Sequence, residues 1–347
     1  MGLLVVLVAG GILVEPIELG RRGIVVGMSI DLVAEGYLVA VQLVSVAADS
    51  KEGKASAYTV VEGTGPTVSQ AMDSISYQAS LMPSYGHCKV LFLGEDTLTE
   101  IDGILVNFLR NDILTQDTQI VAVQGTGKEA LSAKVPLLDS SSAYVEQDNM
   151  LVSQTGGRNL VSLKDYCAKV KGEIGAKLLP YAVKIKAQPA DGEQQKQDEA
   201  VLFDLYNTVA YSTDGVPHIY GHQVTRGVGL VNAKGGQVTA YDREGRYVTV
   251  KLLTVVKTRS YTPDTIKATY RYAVSVVEST LPAETPEKEI ATLVATEIDR
   301  EMEYAYQTAL KDDVDLFAVA GRLYCRYGTK LSLSQVKWER TIKVTCH

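Results

Sequence analysis

The sequence predicts an α+β protein of more than one domain, with mixed and antiparallel sheets packed against helices. Three patterns carry that expectation. Ile266, Ala268, Tyr270, Tyr272, Val274 and Val276 alternate with Lys267, Thr269, Arg271, Ala273 and Ser275, the period of a strand with one buried face. Val68, Ala71, Met72, Ile75 and Ala79 recur at helical spacing and form one apolar face. Residues 188–198, rich in Gln, Glu, Lys and Asp and broken by Pro189 and Gly192, have the composition of an exposed linker. The expected organisation is a leader at 1–14, an N-terminal domain at 15–187 with room for two subdomains, the linker, and a C-terminal domain at 199–347.

The elements follow in order. Leu3–Val14 is one apolar run. It is too short for the ~20 residues of a spanning helix and suits a secretory apolar segment of about 7–15. Met1-Gly2 supplies no basic residue before it. A mature protein beginning near residues 11–15 and lying outside the membrane is expected, the alternative being a buried N-terminal strand. Ile24–Val33 and Tyr37–Val46 read as strands joined by a tight turn at Glu35-Gly36. A third strand, Ser56–Glu62, runs into the break Gly63-Thr64-Gly65-Pro66, and Thr67 then caps the helix noted above. Next come a strand at Tyr85–Glu95, a helix at Leu98–Leu109, a strand at Gln119–Gln124 and a short helix at Lys128–Lys134. Residues 142–171 read as helix interrupted at Gly156-Gly157, and Ala176–Lys186 as a closing strand.

Beyond the linker, Arg246–Lys257 is expected to pair antiparallel with the alternating strand, through a turn at Tyr261-Thr262-Pro263-Asp264. Thr285-Pro286-Glu287 opens a long helix with a cap, a proline and an acid. Its stripe is Ile290, Leu293, Val294, Ile298, Met302, Ala305 and Ala309. Thr341–Cys346 alternates as a last strand.

Composition narrows the function. Of 347 residues, 46% are hydrophobic and 22% charged, enough to bury a sizeable core. Net charge is −7 and the charges are interspersed, so no basic cluster awaits a nucleic-acid backbone. Tyrosine (19) far outnumbers Phe (4) and Trp (1), which suits strands and wet contact surfaces. Cys88, Cys167, Cys325 and Cys346 lie far apart with no Cys-x-x-Cys, which removes the main signal for a zinc ribbon or a redox dithiol. They read as buried thiols, with a Cys325–Cys346 disulfide left open.

Catalytic patterns are missing. Gly125-Thr126-Gly127-Lys128-Glu129 suggests a phosphate loop, but Ala122 and Glu129 occupy the places that need Gly and Ser or Thr. It reads as a strand-to-helix turn. His218 and His222 would share a helix face as metal ligands, but Gly215, Pro217 and Gly221 argue for a loop. His87 and Cys88 are adjacent and would point to opposite faces of a strand, leaving His87 as a hydrogen-bonded structural group. Asp312, Asp313 and Asp315 lack the Gly and distal Glu of a calcium loop and read as a solvated helix end. No Gly-x-Ser-x-Gly elbow occurs. No catalytic residue, cofactor or metal site is expected.

One ordered set of motifs remains. Glu18 is followed by a short spacer, an apolar strand and Gly27-Met28-Ser29-Ile30-Asp31. Next come Gly86-His87, a strand ending in Gly94-Glu95, and a helix ending at Arg110. The later half has Thr225-Arg226-Gly227, Asp315-Leu316-Phe317-Ala318-Val319-Ala320 with Arg322, and Trp338 before the last strand. This set resembles the Ger(x)C family, the C-subunit lipoproteins of nutrient germinant receptors of spores. The family's Asp-x-Phe-Gly-x-Gly carries alanine at both glycines here, Ala318 and Ala320. Val8-Ala9-Gly10 resembles the start of a lipobox, and Gly11 stands where the family has its lipidated cysteine.

The resemblance implies a non-catalytic subunit that assembles with two integral-membrane partners, the A and B subunits, at the outer face of the spore inner membrane. The small-molecule germinant would bind elsewhere in that complex. It also marks Glu18, Gly27, Asp31, His87, Gly94, Glu95, Arg110, Arg226, Gly227, Asp315 and Trp338 as structural or interface positions. The rival readings are an exported solute-binding or cell-surface interaction module sharing the fold, and a hydrolase with a scattered site.

Overall fold

The computed structural model describes residues 22–45, 58–79, 81–136, 138, 140–155, 161–172, 175–186, 200–233 and 235–347. The leader with Gly11, Glu18, the 188–198 stretch and Gly156-Gly157 lie outside the described residues. The architecture is α+β, built on two mixed sheets.

The first sheet begins with β1 (Arg22–Val33) and β2 (Gly36–Ser45), an antiparallel hairpin whose register runs from Gly23↔Ser45 to Val33↔Gly36. Gly36 has φ +123°, and a Cβ there would meet the Gly65 carbonyl oxygen at 2.5 Å, so the turn requires glycine. β3 (Thr59–Gly65) pairs with β2, running through the expected break at Gly63 as continuous strand. β4 (Met82–Ser84), β5 (Val90–Gly94), β6 (Gln119–Val123), β7 (Val161–Ser162) and β8 (Leu178–Lys186) follow. β1, β5, β6 and β8 run parallel in the centre. All five residues of β5 are buried, as expected of a strand covered on both faces.

Helices cover those faces. α1 (Val68–Ala79), α2 (Ile101–Arg110) and, further along, α5 (Leu163–Gly172) put Ile75, Phe108 and Tyr166 into one core. α3 (Gly127–Leu131) and α4 (Ser141–Thr155) put Leu131 and Val145 into the other. The segment expected as helix over 142–171 is thus α4 and α5 with β7 between them. The strand expected from Tyr85 begins only at Val90, after a 3₁₀ turn at Tyr85–His87.

The expected boundary at 188–198 does not separate the sheets. β9 (Val201–Tyr211) lies beyond it, pairs antiparallel with β8 from Lys186↔Val201 to Leu178↔Ala210, and is followed by β10 (Pro217–Tyr220). The sheet order is β10-β9-β8-β6-β5-β1-β2-β3. Sheet burial explains the difference. β9 is apolar on both sides, giving Val209 and Tyr211 to one core and Phe203 and Leu205 to the other. The polar stretch connects neighbouring strands of one sheet.

His222–Leu230 is a helix, α6, with Gly221 at its N-cap in extended conformation. The glycine expected to break the helix starts it.

The second sheet has the order β11-β12-β13-β14, from Gln237–Tyr241, Tyr247–Tyr261, Thr265–Ser279 and Lys337–Cys346. β12 and β13 form the expected antiparallel hairpin, and β14 lies parallel to β13. The 26-residue α7 (Glu287–Asp312) crosses its inner face, burying Val294, Ile298, Met302, Ala305 and Ala309 with Val250, Tyr270 and Val274. α8 (Val319–Tyr327), a helix the sequence reading lacked, closes that core with Leu323.

Candidate functional site

The sequence motifs come together in two places. The first is the C-terminal end of the parallel strands. Asp31, near the end of β1, is buried. Its carboxylate accepts the backbone N–H of Gly127 at 2.5 Å and of Lys128 at 2.8 Å, tying the start of α3 to the sheet. Burial pushes this carboxyl above its ordinary value, against the two backbone donors, which act to lower it. Gly94 makes the room: a Cβ there would lie 2.1 Å from Asp31 Oδ1. Glu95 completes the junction, exchanging a backbone bond with Gly125 (N to O, 2.9 Å) and accepting the Gly125 N–H on its side chain at 3.2 Å. Four residues back on the same face of β1, a Cβ on Gly27 would fall 1.8 Å from Ser142 Oγ of α4. Gly27, Asp31, Gly94 and Glu95 therefore lock strands to helices. The phosphate-loop lookalike at Gly125–Glu129 has its amides already taken, Gly127 and Lys128 by Asp31, Gly125 by Glu95 and Glu129 by the Thr126 hydroxyl.

The second place is the crossing of α6 on α7. Arg226 Nε lies 2.8 Å from Glu301 Oε2. At the next residue, a Cβ on Gly227 would come within 2.4 Å of the Glu301 carbonyl oxygen and 2.7 Å of Ala305 Cβ. Glu301 is buried. Burial raises its carboxyl above the ordinary value, with Arg226 acting to lower it and Glu297 to raise it further. One turn away, Arg300 gives Nε and Nη2 to Glu297 at 2.9 and 2.6 Å. At the start of α6, His222 Nε2 lies 2.5 Å from Asp204 Oδ2. These groups surround a cleft of about 670 Å³ bounded by α6, α7, β9, β11 and β12, with Tyr206, Tyr241 and Leu252 among its walls. Glu301, Glu297 and Arg300 escaped the sequence reading. The signal was present: Glu301 interrupts the stripe Ile298, Met302, Ala305 at a buried position.

Asp315 and Trp338 are structural. The Asp315 carboxylate accepts the N–H groups of Val319 (2.7 Å) and Gly321 (2.9 Å), so it caps α8 and is not part of a solvated helix end. Trp338 packs on Phe317 and Tyr306 at ring distances of 4.6 and 4.9 Å, with the Arg340 guanidinium 4.5 Å over its ring. His87 is exposed at the end of its 3₁₀ turn, and no hydrogen bond of its side chain occurs among the described residues. Arg110 is exposed in the last turn of α2. Cys88 and Cys167 are buried, while Cys325 and Cys346 are free and more accessible. Among the described residues no group of three or more His, Cys, Asp or Glu is arranged to hold a metal. No described helix is long and apolar enough to cross a membrane.

The fold and its motifs define a two-sheet α+β protein whose polar motif residues cap and tie helices. Comparison with known proteins gives the family. Residues 15–184 match the spore germination protein N-terminal domain. The chain is also similar in fold to a solved structure, the crystal structure of the GerBC protein. The two superpose with a TM-score of 0.57 at 11% identity, over 92% of this chain and 96% of that one. No curated protein matches the sequence. The chain belongs to the Ger(x)C family of spore germination proteins.

Proposed function

We propose that this protein is the non-catalytic C subunit of a nutrient germinant receptor. It assembles with the A and B integral-membrane subunits at the outer face of the spore inner membrane, and the germinant is bound elsewhere in that complex. The observation that carries this reading is the spore germination domain at residues 15–184. The use made of the motif residues supports it. Asp31 and Asp315 are spent on backbone amides, and Gly27, Gly94 and Gly227 on close approach. A surface held rigid by such ties suits docking against membrane partners. Gly11 has no thiol to carry the family's lipid, and the same experiment reads how the chain is held at the membrane.

That experiment is co-purification of the tagged protein from membranes of sporulating native cells, with mass spectrometry of partners and N-terminus. Recovery with two polytopic subunits is expected. Recovery alone in the soluble fraction, or unchanged receptor levels and nutrient-triggered germination after deletion of the gene, overturns the reading. The cleft between α6 and α7 favours a second reading, an exported solute-binding or cell-surface module on the same fold. A transporter gene beside this one, with no receptor subunits nearby, would favour it.

A further inference from the structure

The α6–α7 cleft is the part of the molecule that the helix-tying motifs leave unfilled. Three pairs of a basic and an acidic side chain around it share one polarity. Arg226, Arg300 and His222 keep 49%, 60% and 62% of their side chains exposed, while their partners Glu301, Glu297 and Asp204 keep only 7%, 18% and 15%. Long cationic side chains generally lie with their heads in water. Here all three basic groups line one cavity, in a chain whose net charge is −7.

Their hydrogen-bonding capacity is not used up. A guanidinium has five N–H donors in a planar fork, and Arg300 commits only Nε and Nη2 to Glu297. Each deep carboxylate already has a basic group within 2.8 Å, so a cationic ligand would have to displace that group. An anion need only add to the outer edge of the pairs. A planar carboxylate matches such an edge with two parallel bonds. Tyr206 and Tyr241 supply exposed aromatic wall, and Gly229 leaves space at the rim, since a Cβ there meets nothing within 4 Å. The volume of about 670 Å³ falls within the range of small-molecule sites.

We infer that this cleft binds a small organic molecule through its carboxylate, which is held by the outer edges of Arg226 and Arg300 and by His222. The body of the ligand lies against Tyr206 and Tyr241. The site needs only the folded chain, so it stands or falls separately from the receptor role.

The test is isothermal titration of the purified full chain with acetate, succinate and benzoate, each against its primary amide, and with inorganic phosphate. At least one carboxylate should bind about tenfold or more tightly than its amide, the scale of one charge-assisted hydrogen bond. Arg300→Gln should weaken that carboxylate about tenfold and leave its amide unchanged. Gly229→Asp, which adds a negative charge to the rim without a steric clash, should abolish carboxylate binding while the circular dichroism melt stays unchanged. It carries the test if Arg300→Gln fails to fold. Three results overturn the inference: no carboxylate outbinding its amide, binding indifferent to the variants, or phosphate bound in preference to every carboxylate.

Discussion

A Cβ on Gly227 of α6 would come within 2.4 Å of the carbonyl oxygen of Glu301 on α7, and the neighbouring Arg226 pairs with the carboxylate of that same glutamate at 2.8 Å. One dipeptide thus sets both how closely the helices approach and how they are turned about each other. The obstacle is backbone, which cannot swing aside. Gly227→Ala should cost about 1–3 kcal/mol, as for other overpacked contacts. Urea denaturation should show a lower midpoint at unchanged m-value. An unchanged midpoint would mean that α6 slides freely on α7.

Glu301 should also give the protein a pH signature. Burial, the largest influence, raises its folded carboxyl above the ordinary 4.5. A raised carboxyl means that the folded state binds more protons than the unfolded state in the interval between the two values. Its favourable contribution is complete below 4.5 and is lost as pH rises through the folded value. Glu301→Gln lacks this dependence. The melting temperature of the variant minus that of the parent should therefore become more positive from about pH 4 to pH 7. Asp31 and Asp315 titrate alike in both proteins and cancel. A difference that stays flat or falls with pH would remove Glu301 from this role.

Asp31 accepts two backbone N–H groups with its two oxygens, so its nearest isostere is a poor substitute. In Asp31→Asn the amide NH₂ must face one of those donors, and one N–H loses its acceptor. A loss of about 1–3 kcal/mol is expected. Hydrogen exchange at the amides of Gly127 and Lys128 should accelerate more than at the centre of β5. Equal acceleration everywhere would show that Asp31 acts on global stability alone.

Ala318 and Ala320 replace the two glycines of the family segment, and the structure treats them oppositely. Ala318 has φ +55° and ψ +39° at the N-cap of α8, a left-handed conformation that costs an L-residue about 1–2 kcal/mol. Ala320 lies within the helix. Ala318→Gly should stabilise the protein by about 1 kcal/mol, less whatever the methyl gains against Gly175. Ala320→Gly should destabilise it by up to about 1 kcal/mol. Thermal melts of the two single variants read the signs directly, and two shifts of the same sign would contradict this account.

The sequence disclosed elements with a long, uninterrupted period. The alternation of β13, the stripe of α7 and the apolar face of α1 follow directly from which side chains are buried. It was silent or misleading where a residue breaks local rules to satisfy a distant one. Gly227 lowers the helical propensity of α6, yet it is there because α7 passes against it. Gly221 resembles a breaker and acts as a cap. α8 begins at a left-handed alanine and is capped by an aspartate four residues upstream, a start that no propensity pattern describes. Asp31 and Gly94 could be singled out, but the contact that joins them to Gly127 spans about a hundred residues of chain. The cleft draws on five elements, so no local window contains it. Only Thr225 and Arg226, through their motif, and His222, weighed as a metal ligand, stood out in advance.

The path of β9 limits how this protein can be recombined. The recognisable germination domain stops at residue 184, within β8, yet the sheet to which β8 belongs is completed only by Tyr220 of β10. A chimaera spliced at residue 184 would join a sheet missing two of its strands to a second half carrying two strands with no home. Heads and tails of related chains are therefore not interchangeable at residue 184, where the N-terminal domain match ends. The natural crossover point lies near Gly221, where the first sheet is complete and α6 begins.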